Sequence, residues 1–185
     1  LGQADIDGAR AAMGWTHAPF EIPDDVYAAW DRTTRGGELS GNWESRFEAY
    51  AQAHPDLAAE FSRRMSHALP ADFDAFAQAT LEAVAAQAET IATRKASQNA
   101  LNLLAPKLPE FLGGSADLTH SNLTNYKGQT PITRNPAGDA VLYGVREFGM
   151  TAIANGAALH GGFLPYVATF LVFSDYARNA VRMSA

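Results

Sequence analysis

The chain has 185 residues, 47 % of them apolar, enough to build a sizeable core in one domain or in one domain and part of another. Only 18 % of residues are charged and the net charge is -6, which argues against a nucleic-acid binder, whose binding face is normally basic. There is no cysteine, so a disulfide framework and a thiolate metal site are both excluded, a composition that fits a reducing cytoplasm.

The chain opens on Leu1-Gly2-Gln3-Ala4-Asp5, with no initiating Met and neither the basic nor the apolar region of a signal peptide. It closes on Val181-Arg182-Met183-Ser184-Ala185, a helical pattern with no stop signal. Both ends read as cuts inside a longer chain. Next come Trp15, Phe20 and Ile22, flanking Pro19 and Pro23, which predict an extended segment laid over a neighbouring surface. Apolar stripes at helical spacing follow. Val26 and Trp30 form one, and Trp43, Phe47 and Tyr50 another. Leu57, Phe61 and Met65 form a third, after Pro55, which suits a first helical turn. Phe73, Phe76, Thr80 and Val84 form a fourth. Gly36-Gly37, Ser40-Gly41, His54-Pro55 and Leu69-Pro70 are expected to break the helices between them. The Ala-rich stretch from 75 to 92 is a good helix former, suited to an exposed helix or a tether between domains. His17, His54 and His67 lack metal-ligand spacing and read as surface residues.

From Thr93 the period changes. Thr93 is expected to cap a helix beginning at Arg94, with Ala96, Ala100, Leu103 and Leu104 on its apolar face and Pro106 and Pro109 ending it. Phe111-Leu112 is a short strand run, broken at Gly113-Gly114-Ser115. A polar loop with Asp117, Thr119, His120, Ser121, Asn122 and Thr124 leads into a turn-rich segment reaching Asp139. Val141-Leu142-Tyr143 predicts a second strand, residues 146 to 160 a helix, 164 to 171 a third strand, and Ser174 or Asp175 the start of a last helix. Positions 148 to 174 carry no Asp, Glu, Lys or Arg. A run this long invites comparison with a membrane span. Asn155, His160, Gly161-Gly162 and Pro165 divide it into a buried helix and a buried strand instead. Strands alternating with helices, and apolar without alternation, predict an α/β fold with a parallel sheet between helices.

Three groups of residues could do chemistry. Glu147 stands at the head of the uncharged run. Burial favours the protonated form of such a carboxyl, which can then donate a hydrogen bond to a ring nitrogen. Phe170, Phe173 and Tyr176 could be core or an aromatic platform for a flat heterocycle. Arg94 at a helix start opposes the macrodipole and invites an anion, which an Arg fork with the Ser121 hydroxyl would hold as a phosphate. Asp117 is a loop Asp, most simply a turn former.

At these residues the sequence resembles the transketolase family. The match is strongest at Tyr143-Gly144-Val145-Arg146-Glu147-Phe148-Gly149-Met150 and Ala152-Ile153-Ala154-Asn155-Gly156. It continues in Phe111-Leu112-Gly113-Gly114-Ser115-Ala116-Asp117-Leu118, Ser121-Asn122-Leu123-Thr124, Arg94-Lys95-Ala96-Ser97 and His160-Gly161-Gly162-Phe163-Leu164-Pro165. Tyr176 to Arg182, Gly14-Trp15 and Ala18 to Pro23 match too, so the likeness runs along the whole chain.

The resemblance implies reversible transfer of a two-carbon ketol unit from a ketose phosphate to an aldose phosphate, as in the pentose phosphate pathway or Calvin cycle, with thiamine diphosphate as cofactor. It implies that Glu147 hydrogen-bonds the aminopyrimidine ring nitrogen, favouring the tautomer whose exocyclic nitrogen can take the thiazolium C2 proton. Phe170 and Phe173 would stack on or flank the pyrimidine, with Tyr176 beside them. Asp117 and Leu118 would line the thiazolium side, and Arg94 and Ser121 would grip the sugar phosphate. A cytoplasmic homodimer with the cofactor at the subunit interface is implied. So is a Mg or Ca ion whose ligands lie outside this segment, because the family's Gly-Asp-Gly motif is absent.

The division implied is a tail of the diphosphate-binding domain with the start of a helical linker at 1–75, a linker helix at 76–92, and the first half of the pyrimidine-binding domain at 93–185. The isolated chain is expected to be inactive and to fold poorly, with exposed strand edges. A dihydroxyacetone synthase-like relative, or a non-catalytic dimerisation module, are the alternatives.

Overall fold

The computed structural model describes residues 2–134 and 137–185. The turn-rich segment expected before Asp139 therefore lies in part, at 135 and 136, outside the described residues. By contacts the chain divides into Leu1–His54 and Pro55–Ala185.

The first unit is helical: α1 (Gln3–Ala12), α2 (Asp24–Trp30) and α3 (Thr33–Ala53). Each start is stabilised locally. Asp5 accepts from the Gly2 N–H at 3.0 Å. Asp24 and Asp25 place negative charge in the first turn of α2, where the helix dipole favours it. Ahead of α3, the Asp31 carboxylate accepts from the Thr33 hydroxyl at 2.6 Å and from its N–H at 2.9 Å. Those two bonds hold the Asp31 carboxyl below its usual range. Gly36-Gly37 and Ser40-Gly41, expected to break the chain, lie inside α3. Glycine costs a helix about 1 kcal/mol per residue but does not forbid it. The Trp43, Phe47 and Tyr50 rings stack along one face, at 5.1 and 6.3 Å between successive centroids, and offset that cost. None of the described residues of α1, α2 or α3 is buried.

The second unit opens with α4 (Pro55–Met65) and α5 (Phe73–Gln87), the latter ending at Ala88 in the left-handed region. The expected breaks at His54-Pro55 and Leu69-Pro70 fall between helices. Helix α6 (Thr93–Leu104) already includes Thr93, and the extended residue before it is Ala92, which makes no side-chain cap. Thr93 is thus not the cap expected of it. Strand β1 (Phe111–Ser115), α7 (Thr119–Asn122), α8 (Glu147–His160), β2 (Leu164–Ala168), a 3-10 turn (Leu171–Phe173) and α9 (Ser174–Ser184) follow.

Strands β1 and β2 pair in parallel, Phe111 opposite Leu164 and Ser115 opposite Ala168. Gly113 and Gly114, read as a break, are the middle of β1, and close approach explains them. A Cβ on Gly113 would lie 2.0 Å from the Tyr166 carbonyl oxygen, and one on Gly114 2.3 Å from that of Val141. The strand expected at 141–143 does not form. Only its beginning touches the sheet: Gly113 N donates to Asp139 O, Val141 N donates to Gly113 O, and Ala140 bridges Gly113 and Pro131. The chain then turns away at Gly144, whose φ is +60°. The third expected strand stops at Ala168, because Leu171–Phe173 coils into the 3-10 turn.

Both faces of the sheet are covered. Leu101 of α6 and Ala105, just after it, pack with Tyr126, Phe111 and Tyr166 on one side. Ala116, Tyr143 and Met150 of α8 pack with Val141 and Val167 on the other. The uncharged run thus divides into α8 and β2, and among the described residues no helix is long and apolar enough to cross a membrane.

At the N-terminal end of β1 an ion network closes the base of the sheet. The Arg63 guanidinium donates to both carboxylate oxygens of Glu110 at 2.9 Å and to both of Glu60 at 2.7 and 2.8 Å. Arg64 adds a bond to Glu60 at 2.7 Å. Its bonds to Arg63 and then Arg64 pull the Glu60 carboxyl down to about 2. Burial pushes Glu110 up, but the Arg63 fork and a backbone bond outweigh it, and its pKa lies below the usual value. Nearby, Lys107 pairs with Asp72 and lies over the Phe76 ring, tying α5 to the entry of the sheet.

Candidate active site

Ligand sites in open α/β sheets gather at the C-terminal ends of the strands. Two cavities lie there. One, of about 530 Å³, is lined by Ala116, Asp117, Leu118, Val145, Glu147, Phe173 and Tyr176. The other, of about 710 Å³, is lined by residues that include Arg94, Ser97, Asn122, Thr124, Thr169 and Phe170.

Each side chain of the smaller cavity is placed by an element end. Asp117 and Leu118 leave β1, and the turn needs Asp117 at φ +57°, a left-handed value that Asp tolerates better than most residues. Glu147 is the first residue of α8 and only 8 % exposed. Thr151 Oγ1 donates to its carbonyl at 3.0 Å, which fixes the helix start. Its carboxylate makes no hydrogen bond or ion pair among the described residues. The guanidinium of the neighbouring Arg146 donates to the Tyr143 carbonyl at 2.8 Å. Phe173 closes the 3-10 turn and stacks on Tyr176 of α9 at 6.2 Å between centroids, with Phe170 tilted against it at 6.3 Å.

Glu147 is largely buried, but its carboxylate opens onto the cavity. Here it faces a space walled by aromatic and aliphatic groups. This lining suits a flat nitrogen heterocycle that stacks on a ring and hydrogen-bonds an acid. The residues therefore fit the pyrimidine end of thiamine diphosphate.

The expected residues are not all brought together. Asp117, Leu118, Glu147, Phe173 and Tyr176 share the smaller cavity. Arg94 and Phe170 line the larger one. Ser121 is exposed on α7 and does not line it, although the next residue, Asn122, does. Arg94 is exposed at the start of α6. Sequence reasoning overlooked Val145 and Ala116, which carry no chemical signal beyond their adjacency to Glu147 and Asp117. It named Asn122 and Thr124 only as part of a polar loop, and it overlooked Thr169, which follows β2 and carries no signal of its own.

The sheet, with an anion-friendly cavity and an apolar, acid-bearing cavity at its strand ends, defines an α/β ligand-binding domain. Residues 89–185 match the family model "Transketolase, pyrimidine binding domain", and residues 1–70 match "Transketolase, thiamine diphosphate binding domain". The chain belongs to the transketolase family, whose domains bind thiamine diphosphate. It is 63 % identical over its full length to Transketolase 2 of Xanthobacter flavus and 56 % to Transketolase 1 of Escherichia coli K12. It covers 27 % and 28 % of those proteins, so it spans little more than a quarter of their length. The transketolase of Pichia stipitis in complex with sedoheptulose-7-phosphate superposes over all of the chain and 28 % of its own, with TM-score 0.83 and 35 % identity. That of Leishmania mexicana covers 98 % of the chain and 27 % of its own, at 0.80 and 34 %.

Proposed function

We propose that this segment supplies the pyrimidine-binding face of a transketolase, which transfers a two-carbon ketol group reversibly between a ketose phosphate and an aldose phosphate. The observation that carries this is Glu147: a largely buried residue whose carboxylate makes no hydrogen bond or ion pair among the described residues and opens onto an apolar cavity beside a stacked aromatic pair. When bound, thiamine diphosphate supplies a nucleophilic carbon and an electron sink. The Glu147 carboxyl would hydrogen-bond the pyrimidine ring nitrogen. Phe173, flanked by Phe170 and Tyr176, orients the ring by stacking, and Leu118 and Asp117 border the thiazolium side. Arg94 and Ser121 hold the substrate phosphate away from the reacting carbonyl, so that binding energy from a remote group orients the reaction.

The proposed division is that of the diphosphate-binding tail and linker start at 1–75, the linker helix at 76–92 and the pyrimidine-binding half-domain from 93. In the natural protein a second subunit completes the site, and a Mg or Ca ion is bound by residues outside 1–185. The enzyme acts in the cytoplasm, which the lack of cysteine suits. A sugar phosphate is the ligand named for the Pichia stipitis structure, and this supports the substrate class.

The test is ketol transfer by the natural full-length protein with and without added thiamine diphosphate. Cofactor-dependent transfer from a ketose phosphate is expected. Absence of transfer in the loaded protein would sink the reading. The 185-residue chain alone is expected to show no turnover.

A further inference from the structure

The larger cavity rests on a buried chain of hydrogen bonds that assists no reacting atom directly. Thr124 Oγ1 donates to Asn122 Oδ1 at 2.7 Å, Asn122 Nδ2 donates to Ser115 Oγ at 2.7 Å, and Ser115 Oγ donates to the Ala168 carbonyl at 2.9 Å. Ser115, Asn122 and Thr124 are 3, 8 and 6 % exposed. Each hydroxyl or amide hydrogen in the chain points the same way, an order in which neighbouring bonds strengthen one another.

The chain pins three pieces of backbone at once. Ser115 ends β1, two residues before Asp117. Ala168 ends β2, two residues before Phe170. Asn122 ends α7, directly after Ser121. The loop it pins is also strained at both ends: Asp117 and Leu123 each have φ +57°. Non-glycine residues persist there only when the surroundings over-determine them. Without the Asn122 carboxamide, the segment from 117 to 123 loses its side-chain tie to Ser115 and, through it, to the end of β2.

We propose that Asn122 is a positioning residue for the phosphorylated substrate: through Ser115 and Thr124 it holds the end of α7 against the ends of both strands, and so keeps the wall of the larger cavity in place opposite Arg94. This rests on the reading of the larger cavity as a phosphate site. Asn122 itself has both ends of its carboxamide engaged within the protein, so it acts through its neighbours.

The experiment uses the natural full-length protein with Asn122→Ala, Ser115→Ala, the double variant, Thr124→Val and Thr124→Ser. Asn122→Ala is expected to raise KM for a phosphorylated donor by about 10- to 100-fold, as misplacing a binding group does. Its kcat should stay within about threefold of wild type. KM for an unphosphorylated donor of the same ketol unit should stay within about twofold of wild type. The double variant should be no worse than either single one, because both remove the same chain. Thr124→Val should follow Asn122→Ala in direction, and Thr124→Ser, which keeps the donor, should restore wild-type KM.

An equal loss on both donors, a multiplicative double variant, or unchanged kinetics in well-folded Asn122→Ala and Thr124→Val would each overturn the proposal. Binding of inorganic phosphate, followed by phosphorus NMR in wild type, Arg94→Ala and Asn122→Ala, separates it from the underlying reading. If wild type binds no phosphate, the phosphate reading fails and takes the proposal with it. If Arg94→Ala abolishes binding and Asn122→Ala leaves it unchanged, the proposal fails alone.

Discussion

Two buried glutamates stand at opposite ends of the same small sheet, and their surroundings differ in kind. Glu110, just before β1, is 4 % exposed and takes both arms of the Arg63 fork. Glu147, at the C-terminal end of the sheet, is 8 % exposed and has no such partner among the described residues. The first carboxylate is compensated within the protein, so it closes and stabilises the base. The second is left for something else to compensate, as a ligand site requires. Burial alone does not distinguish structure from function here; the partner does.

The sharpest way to break this comparison is to neutralise Glu147. Glu147→Ala in the natural protein is expected to lower kcat for ketol transfer by about 10²- to 10⁴-fold, the range for a lost acid–base group. Its melting temperature should stay close to that of wild type, since the carboxylate has no hydrogen bond or ion pair to lose among the described residues. A large drop in melting temperature with little change in kcat would reverse the assignment.

The opposite pattern is expected at the base. Arg63→Ala leaves Glu110 buried and unpaired, and should cost about 3–5 kcal/mol in denaturant unfolding. Replacing both, as Arg63→Met with Glu110→Leu, should recover most of that loss.

Arg94→Ala is expected to raise KM for a phosphorylated donor by about 10- to 100-fold, the worth of a charge-assisted hydrogen bond, with little effect on stability.

The smallest effect concerns pH. Glu60 has its carboxyl drawn from 4.5 down to about 2 in the folded state. A depressed folded pKa contributes stability that is complete above the unfolded value. That stability is lost as pH falls through the folded value. Melting temperature should therefore decline from about pH 4.5 towards pH 2, with Glu110, also lowered, adding to the slope. Glu60→Gln should flatten this decline without abolishing it.

Much of this was legible in the sequence where a residue type carries its own physics. Pro55 starts α4, the uncharged run divides at Gly161-Gly162 into α8 and β2, and Glu147 stands out because it heads the run 148 to 174, which carries no charged residue. Glycine misled twice, since the same residue serves opposite ends. In α3 it is tolerated because stacked aromatics hold the helix. In β1 it is required because the Tyr166 and Val141 carbonyls pass too close for any Cβ. Neither contact is local, so neither was readable. The run 141–143 has strand composition, yet only its first residue meets a partner in the sheet. The Ser115–Asn122–Thr124 chain was invisible for the same reason: three ordinary polar residues acquire meaning only when β1, α7 and the loop after it are folded together.

The most direct test of the central claim is exchange of the thiazolium C2 proton of bound thiamine diphosphate with solvent deuterium, measured by NMR in the natural protein and its Glu147→Gln variant. If the Glu147 carboxyl hydrogen-bonds the pyrimidine, exchange in the variant falls by about 10²-fold or more while the cofactor remains bound. Equal exchange rates in the two proteins, with the cofactor bound in both, would contradict the assignment.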